Sequence, residues 1–367
     1  MYSYGFSVRL NLIEKMGISP GYSLIPKEDK SQLLKYLPQS QDEIPARTMQ
    51  DSFQAAVIPL SSDVQLQEKY VTSLGFVRIG RLLEDLDLFA VSVVMKHLYN
   101  PNVPADIPCP YTIVTLMVDE VSFTDITPKP KKDIKISGQV TYVGKSSVEV
   151  TVWLEQKIEE SWKRITRAIF VMVCRNSIRT GSALVNKIEP QGERELRIFK
   201  NGESKCPSTD TFVLILSINI ISSCLLNEVK KNYLLGETKF PRVTYYNPPF
   251  LHIGPQYAQY CIGGYLMRLA VELAWTCGYK FCISPVKFAI IFQVIYTEKN
   301  LFQILVVAEV LNPLTEKTIT TNTFQYTFEA PMIIKTVVPM SYHEAMIYLH
   351  GRRAFMKSID SIGSLSQ

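Results

Sequence analysis

Residues 77–95 read VRIGRLLEDLDLFAVSVVM, and residues 262–275 read IGGYLMRLAVELAW. Each stretch is a glycine followed by apolar residues at helical spacing, and each leads into strand-like sequence. A chain with two such stretches reads as a duplicated α+β unit. That repeat constrains everything else in the chain.

On a wheel of about 100° per residue, Ile79, Leu82, Leu83, Leu86, Ala90, Val93 and Val94 share one sector of the first helix. Arg81 and Asp85 lie opposite. Asp87 sits beside the apolar sector. A carboxylate there is either a half-exposed bystander or a base aimed into a groove, and most helical carboxylates are solvated.

The 367 residues are enough for two units, each with its own core. Apolar residues make up 47% and charged residues 20%, the balance of an ordinary globular protein. The net charge of +5 comes from scattered Lys and Arg, with one cluster at Lys129, Lys131 and Lys132 between prolines. Such a charge suits an anionic small ligand and argues against a nucleic-acid partner. Seven cysteines without CxxC spacing imply a reducing compartment. Four scattered histidines show no metal-ligand spacing. The most apolar run, 212–226, is short for a membrane span and contains Ser217, Asn219, Ser222 and Ser223. It is read as a buried helix or strand, with no transmembrane segment in the chain.

The chain divides into a leader (1–43), a first unit (44–180), a linker (181–239), a shorter second unit (240–350) and a tail (351–367). The first unit carries a helix at 78–96 and strands at 111–121, 134–143, 147–155 and 167–174, with a hairpin turn at Gly144-Lys145. Within SSVEVTVWLEQ, Val148, Val150 and Val152 alternate to one side. The charged stretch 187–205 reads as linker. The second unit has a helix from Gly263 and strands at 289–296, 302–310 and 319–328. A helix opens the tail. Helix, then antiparallel strands, twice over, describes two curved sheets that each wrap a central helix. Paired side by side, their sheets join and the helices share one side.

Several segments resemble the hot-dog acyl-coenzyme A thioesterases that carry two tandem units, of the mitochondrial type. They are MQDSF (49–53), EKYV (68–71), VRIGRLLEDLD (77–87), DIKISGQVTYVGKSSVEV (133–150), FVMVCRN (170–176), GGYLMRLAVELAW (263–275) and TTNTFQYTF (320–328). The resemblance runs from about residue 45 onward. It implies a tandem double hot-dog of the α+β class that hydrolyses acyl-CoA thioesters to CoA and a carboxylic acid. It also implies that the site forms where two units meet, with an acid on one central helix and amide groups at the start of the other. Carried over residue by residue, Asp87 holds the acidic position, and Gly263 and Gly264 hold the helix start. A helix start offers unpaired N–H groups to a developing oxyanion, and a carboxylate on a groove rim can activate water.

Gln259, in QYCIGG, stands where the family has an asparagine; its counterpart in the first unit is Gly75. The mirror position of Asp87 is Val271, so the reverse site lacks its acid, and Glu272 lies one step further round the helix. Lys145 and Ser146 match a hairpin beside the coenzyme, and Arg78 and Arg175 are further candidates for its phosphates. Coenzyme A is part of the substrate, so no cofactor is implied, and no metal. The resemblance further implies a homo-oligomer, in relatives a trimer of two-unit chains, and a mitochondrial location. The N-terminus, with Arg9 and no acid before Glu14, leaves a cytoplasmic location as the alternative. Gln259, Val271 and the short second unit support an alternative function: a catalytically impaired acyl-CoA-binding or structural paralogue. No histidine stands near either helix start, which disfavours dehydratase chemistry.

Overall fold

The computed structural model describes residues 30–72, 75–101, 103–104, 107–123, 127–158, 161–205, 214–219, 262–283, 292–311, 318–330 and 332–365. Strands β1 (Gln54–Ile58), β2 (Tyr111–Phe123), β3 (Ile134–Val143), β4 (Ser147–Ile158) and β5 (Ser161–Asn176) belong to the first half of the chain. Strands β6 (Leu214–Asn219), β7 (Phe292–Glu298), β8 (Leu301–Leu311) and β9 (Thr318–Glu329) follow. Among the described residues they form one nine-stranded sheet, ordered β1-β3-β4-β5-β2-β6-β9-β8-β7. The helices are α1 (Met49–Ser52), α2 (Val64–Tyr70), α3 (Ile79–His97), α4 (Gly192–Lys205), α5 (Ile262–Ile283) and α6 (Tyr342–Leu365). The fold is of the α+β class, two helix-and-sheet units in tandem, as the repeat implies, and it agrees with the double hot-dog that the resemblance implies.

The duplication is visible in the backbone. A register shift separates Val140 from Tyr142 on β3, and another separates Val294 from Tyr296 on β7. A second pair lies between Leu154 and Glu155 on β4 and between Ala308 and Glu309 on β8. These bulges recur at a spacing of 154 positions, 142 to 296 and 154 to 308. The helix glycines Gly80 and Gly264 are 184 positions apart. The second unit is therefore 30 residues shorter between helix and bulge, 184 against 154, where β2 lies in the first unit. The slot beside β9 is filled instead by β6, which precedes α5. β2 runs antiparallel to its neighbour β5, whereas β6 runs parallel to β9 and parallel to β2, joining the two halves. This strand lies inside the apolar run and inside the stretch read as linker.

Three other local features depart from the sequence reading, each for a packing reason. The stretch 187–205 contains helix α4, whose Phe199 meets Tyr142 of β3 at 5.1 Å between ring centroids. This helix packs on β3, and its Gly202 comes up against Glu149 of β4; Glu149 and Thr151 are buried, as are Val148, Val150 and Val152. The alternation in sequence marks two buried faces, not one buried and one wet. Thr141 Oγ1 donates to Glu149 Oε1 at 2.6 Å, which gives that buried carboxylate a partner. The side of α3 opposite its apolar sector is covered too: Tyr70 of α2 donates its hydroxyl to Asp85, which is buried. Burial, with the Asp85 carboxylate beside it, pushes the Tyr70 hydroxyl well above its usual range. Among the described residues no helix is long and apolar enough to cross a membrane.

Candidate active site

Helices α3 and α5 cross through their glycines. A Cβ on Gly80 would lie 2.9 Å from Arg268 Cγ and 3.0 Å from Val271 Cγ1. A Cβ on Gly264 would lie 3.0 Å from Glu84 Cα and 2.9 Å from Asp87 Cβ. The contacts are reciprocal: 80 meets 268 and 271, and 264 meets 84 and 87. The two units are thus related by a pseudo-two-fold axis through this crossing. Only glycine lets the backbones come so close.

At the crossing, Asp87 is 1% exposed. The Gly264 N–H donates to its Oδ2 at 2.8 Å, and Thr115 Oγ1 donates to its Oδ1 at 2.7 Å. Thr115 comes from β2, Asp87 from α3 and Gly264 from the first turn of α5. Three elements and both halves of the chain therefore converge on one carboxylate. Burial raises the pKa of Asp87, and Glu84 adds to the rise; the hydrogen bonds from Thr115 and Gly264 oppose it. A carboxyl group held this way is a better proton acceptor near neutrality than a solvated one.

The structure places Asp87, Gly263 and Gly264 side by side. Gly263 borders the carboxylate: a Cβ there would lie 3.4 Å from Asp87 Oδ2 and 3.5 Å from Oδ1. The amide of Gly264 departs from expectation. Its N–H is directed at Asp87 and so orients the acid; it does not point at an open oxyanion position. Gly263 is partly exposed, while Asp87 and Gly264 are buried.

Lys145, Ser146 and Arg175 lie together at one end of the sheet. The Cys174 N–H donates to the Ser146 carbonyl at 2.8 Å, and the Val185 N–H donates to the Lys145 carbonyl at 3.1 Å. Lys145 and Arg175 are exposed. Arg175 pairs across the ladder with Thr112 of β2, three residues before Thr115 and so roughly 10 Å along the strand. Arg78 does not join them. It pairs with Glu272 at 3.2 Å, both about two-fifths exposed, an ion pair across the crossing. Gln259 lies outside the described residues. Gly75 adopts φ 80°, a left-handed turn conformation that favours glycine over an amide residue. At the mirror position of Asp87 stands Val271, whose Cγ1 would lie 3.0 Å from a Cβ on Gly80.

Sequence reading missed Thr115. The available signal was a hydroxyl two positions after buried Ile113 on a strand, hence on the same face. Thr115→Val keeps the shape and removes the donor. The expected outcome is a fall in turnover of about 10- to 100-fold, with a further upward move of the acidic limb of the rate profile. Steady-state kinetics across pH would show both.

No protein-family model matches the chain. Among curated proteins, mitochondrial acyl-coenzyme A thioesterase 9 of Mus musculus is 31% identical over 95% of this chain and 88% of its own length. The Homo sapiens counterpart is 31% identical over 95% and 87%. Among solved structures, a hexameric acyl-CoA thioesterase aligns with 44% of this chain and 92% of its own. Its identity is 22% and its TM-score 0.34. The crossing, its glycines and its buried acid lie within the span these curated relatives share, and the chain belongs to the family of tandem hot-dog acyl-coenzyme A thioesterases.

Proposed function

We propose that this chain hydrolyses acyl-CoA thioesters to free CoA and a carboxylic acid, with Asp87 as general base. The observation that carries the reading is the Asp87 carboxylate held between Thr115 and Gly264 across the two halves. Asp87 accepts a proton from water as the oxygen adds to the thioester carbonyl. The carbonyl oxygen, now negative, takes hydrogen bonds from the first turn of α5. There the N–H groups of Ile262 and Gly263 have no acceptor within the helix, and the helix dipole adds to their effect. Collapse breaks the C–S bond, and the departing thiolate takes the proton from Asp87. The partly exposed Gly263 marks the side from which the thioester arrives. Lys145, Ser146 and Arg175 receive the coenzyme phosphates at the sheet end.

Coenzyme A enters as part of the substrate, and no separate cofactor is assigned. The chain works in the mitochondrion as a homo-oligomer, with three two-unit chains as the assembly; the mitochondrial relatives named above support the location.

The test is a thiol-release assay run beside calorimetric titration with a non-hydrolysable acyl-CoA. Release that saturates with acyl-CoA supports the hydrolase. Binding without release selects the impaired acyl-CoA-binding paralogue. The rate should also depend on pH in a set direction. Asp87 must be ionised to act, and its pKa is raised above the ordinary 3.8. Activity is therefore lost on acidification at a higher pH than a solvated carboxylate would give, and a pH series of kcat/KM locates that limb.

A further inference from the structure

The pseudo-two-fold axis passes close to one pair of side chains. Glu84 is four positions after Gly80, and Arg268 is four after Gly264, so they are equivalent positions of the two units. They meet at 3.0 Å, Arg268 Nη1 to Glu84 Oε2, with Glu84 14% and Arg268 26% exposed. Arg81 also reaches Glu84, at 2.6 Å. The position equivalent to Arg81 is Tyr265, over whose ring the Arg268 guanidinium sits at 5.1 Å.

Residues on a two-fold axis meet their own copies when identical units pair. Two second units paired with each other would therefore set Arg268 against Arg268, flanked by Tyr265. Two first units would set Glu84 against Glu84 and bury both Arg81 side chains beside them. They would also replace Gly263 by its equivalent, Ile79. A Cβ at Gly263 already lies within 3.5 Å of the Asp87 oxygens, so the longer isoleucine side chain would fill the space around that carboxylate. Neither alternative reproduces the opposite-charge contact seen at this crossing.

We infer that Glu84 and Arg268 specify which units pair: the first hot-dog unit accepts only the second as its partner at this crossing. Two cations on the axis disfavour a pair of second units, and a pair of first units, in which Arg81 offsets each Glu84, is disfavoured by Ile79 in the place of Gly263. The chain thereby commits itself to one acid-bearing site and one Val271 site. This inference does not depend on Asp87 being the base, since it concerns assembly and not turnover.

Charge exchange in the full-length chain tests it. Glu84→Arg puts two cations on the axis, Arg268→Glu puts two anions there, and the double exchange restores opposite charges in reverse order. Each single change is expected to lower the thermal unfolding midpoint by about 10 °C, as for a broken, largely buried ion pair. The double variant should recover more than half of the summed loss and elute as the native species in size-exclusion chromatography. If Arg268→Glu is tolerated, Glu84 serves only Arg81 within its own helix and the inference fails. It fails equally if the double variant is no more stable than the sum of the singles predicts. Loss of hydrolysis in an exchanged chain that still refolds and binds acyl-CoA leaves the pairing inference standing, because Glu84 also acts on Asp87 through its charge; the catalytic reading is tested separately, by thiol release from the unaltered chain.

Discussion

Replacing Asp87 by Asn is expected to lower kcat for acyl-CoA hydrolysis by about 10³-fold, within the range of lost general-base catalysis. Acyl-CoA binding should be little changed. Asparagine has the same shape, and its amide can turn so that Oδ1 faces the Gly264 N–H and Nδ2 faces Thr115 Oγ1. Stability should not fall, and the sign follows from linkage. Burial raises the pKa of Asp87 in the folded protein. The native state therefore prefers the neutral acid. That preference favours folding below the unfolded pKa and is lost as pH rises through the folded pKa. At neutral pH the ionised side chain is a burden that Asn removes. Thermal melts of both proteins at neutral pH should give the variant an equal or higher midpoint. Near pH 4 the two should converge. A variant that retains near-full turnover would show that another group is the base.

Gly264→Ala is the second large effect, and it should act on stability and turnover together. In an open helix the change would gain up to about 1 kcal/mol from helix propensity. Here the new Cβ lies 3.0 Å from Glu84 Cα and 2.9 Å from Asp87 Cβ, atoms on or next to the backbone of α3. Neither can rotate away, so α5 must move off α3, at an expected net loss of about 2 kcal/mol. The same displacement lengthens the 2.8 Å bond from Gly264 to Asp87. Gly80→Ala is the control on the mirror side. Its nearest neighbours are the side-chain atoms Arg268 Cγ at 2.9 Å and Val271 Cγ1 at 3.0 Å, with the Arg268 carbonyl at 3.2 Å, so less backbone must move than at Gly264. The expected order of unfolding midpoints is wild type, then Gly80→Ala, then Gly264→Ala. Gly80→Ala should keep more of the activity. The reverse order would contradict the tight crossing as drawn.

Much of the fold was legible in the chain. Helical spacing in 77–95 placed α3 to within two residues at each end, because a 19-residue amphipathic pattern outweighs local noise. Strands β3, β4 and β9 were equally plain from runs rich in β-branched residues. The charged stretch 187–205 misled because charge density hides an amphipathic helix whose apolar side is narrow. There Ile198 and Phe199 pack on the core while Leu196 stays partly exposed. Asp85 misled for a related reason. A wheel reports one helix and cannot report that Tyr70, fifteen residues earlier, returns to cover its far side.

The candidate site divides along the same line. The sequence by itself determined its ingredients: two glycine-led helices, an acid seven residues after one glycine, and valine at the mirror position. These are local facts, carried by spacing along one element. Which groups touch is decided by tertiary structure, because contact depends on where the chain returns after long excursions. Thr115 lies 28 positions from Asp87, and Gly264 lies 177 from it. No periodicity links such separations. Only the crossing of α3 and α5 turns Gly264 toward the carboxylate, and only burial there raises its pKa.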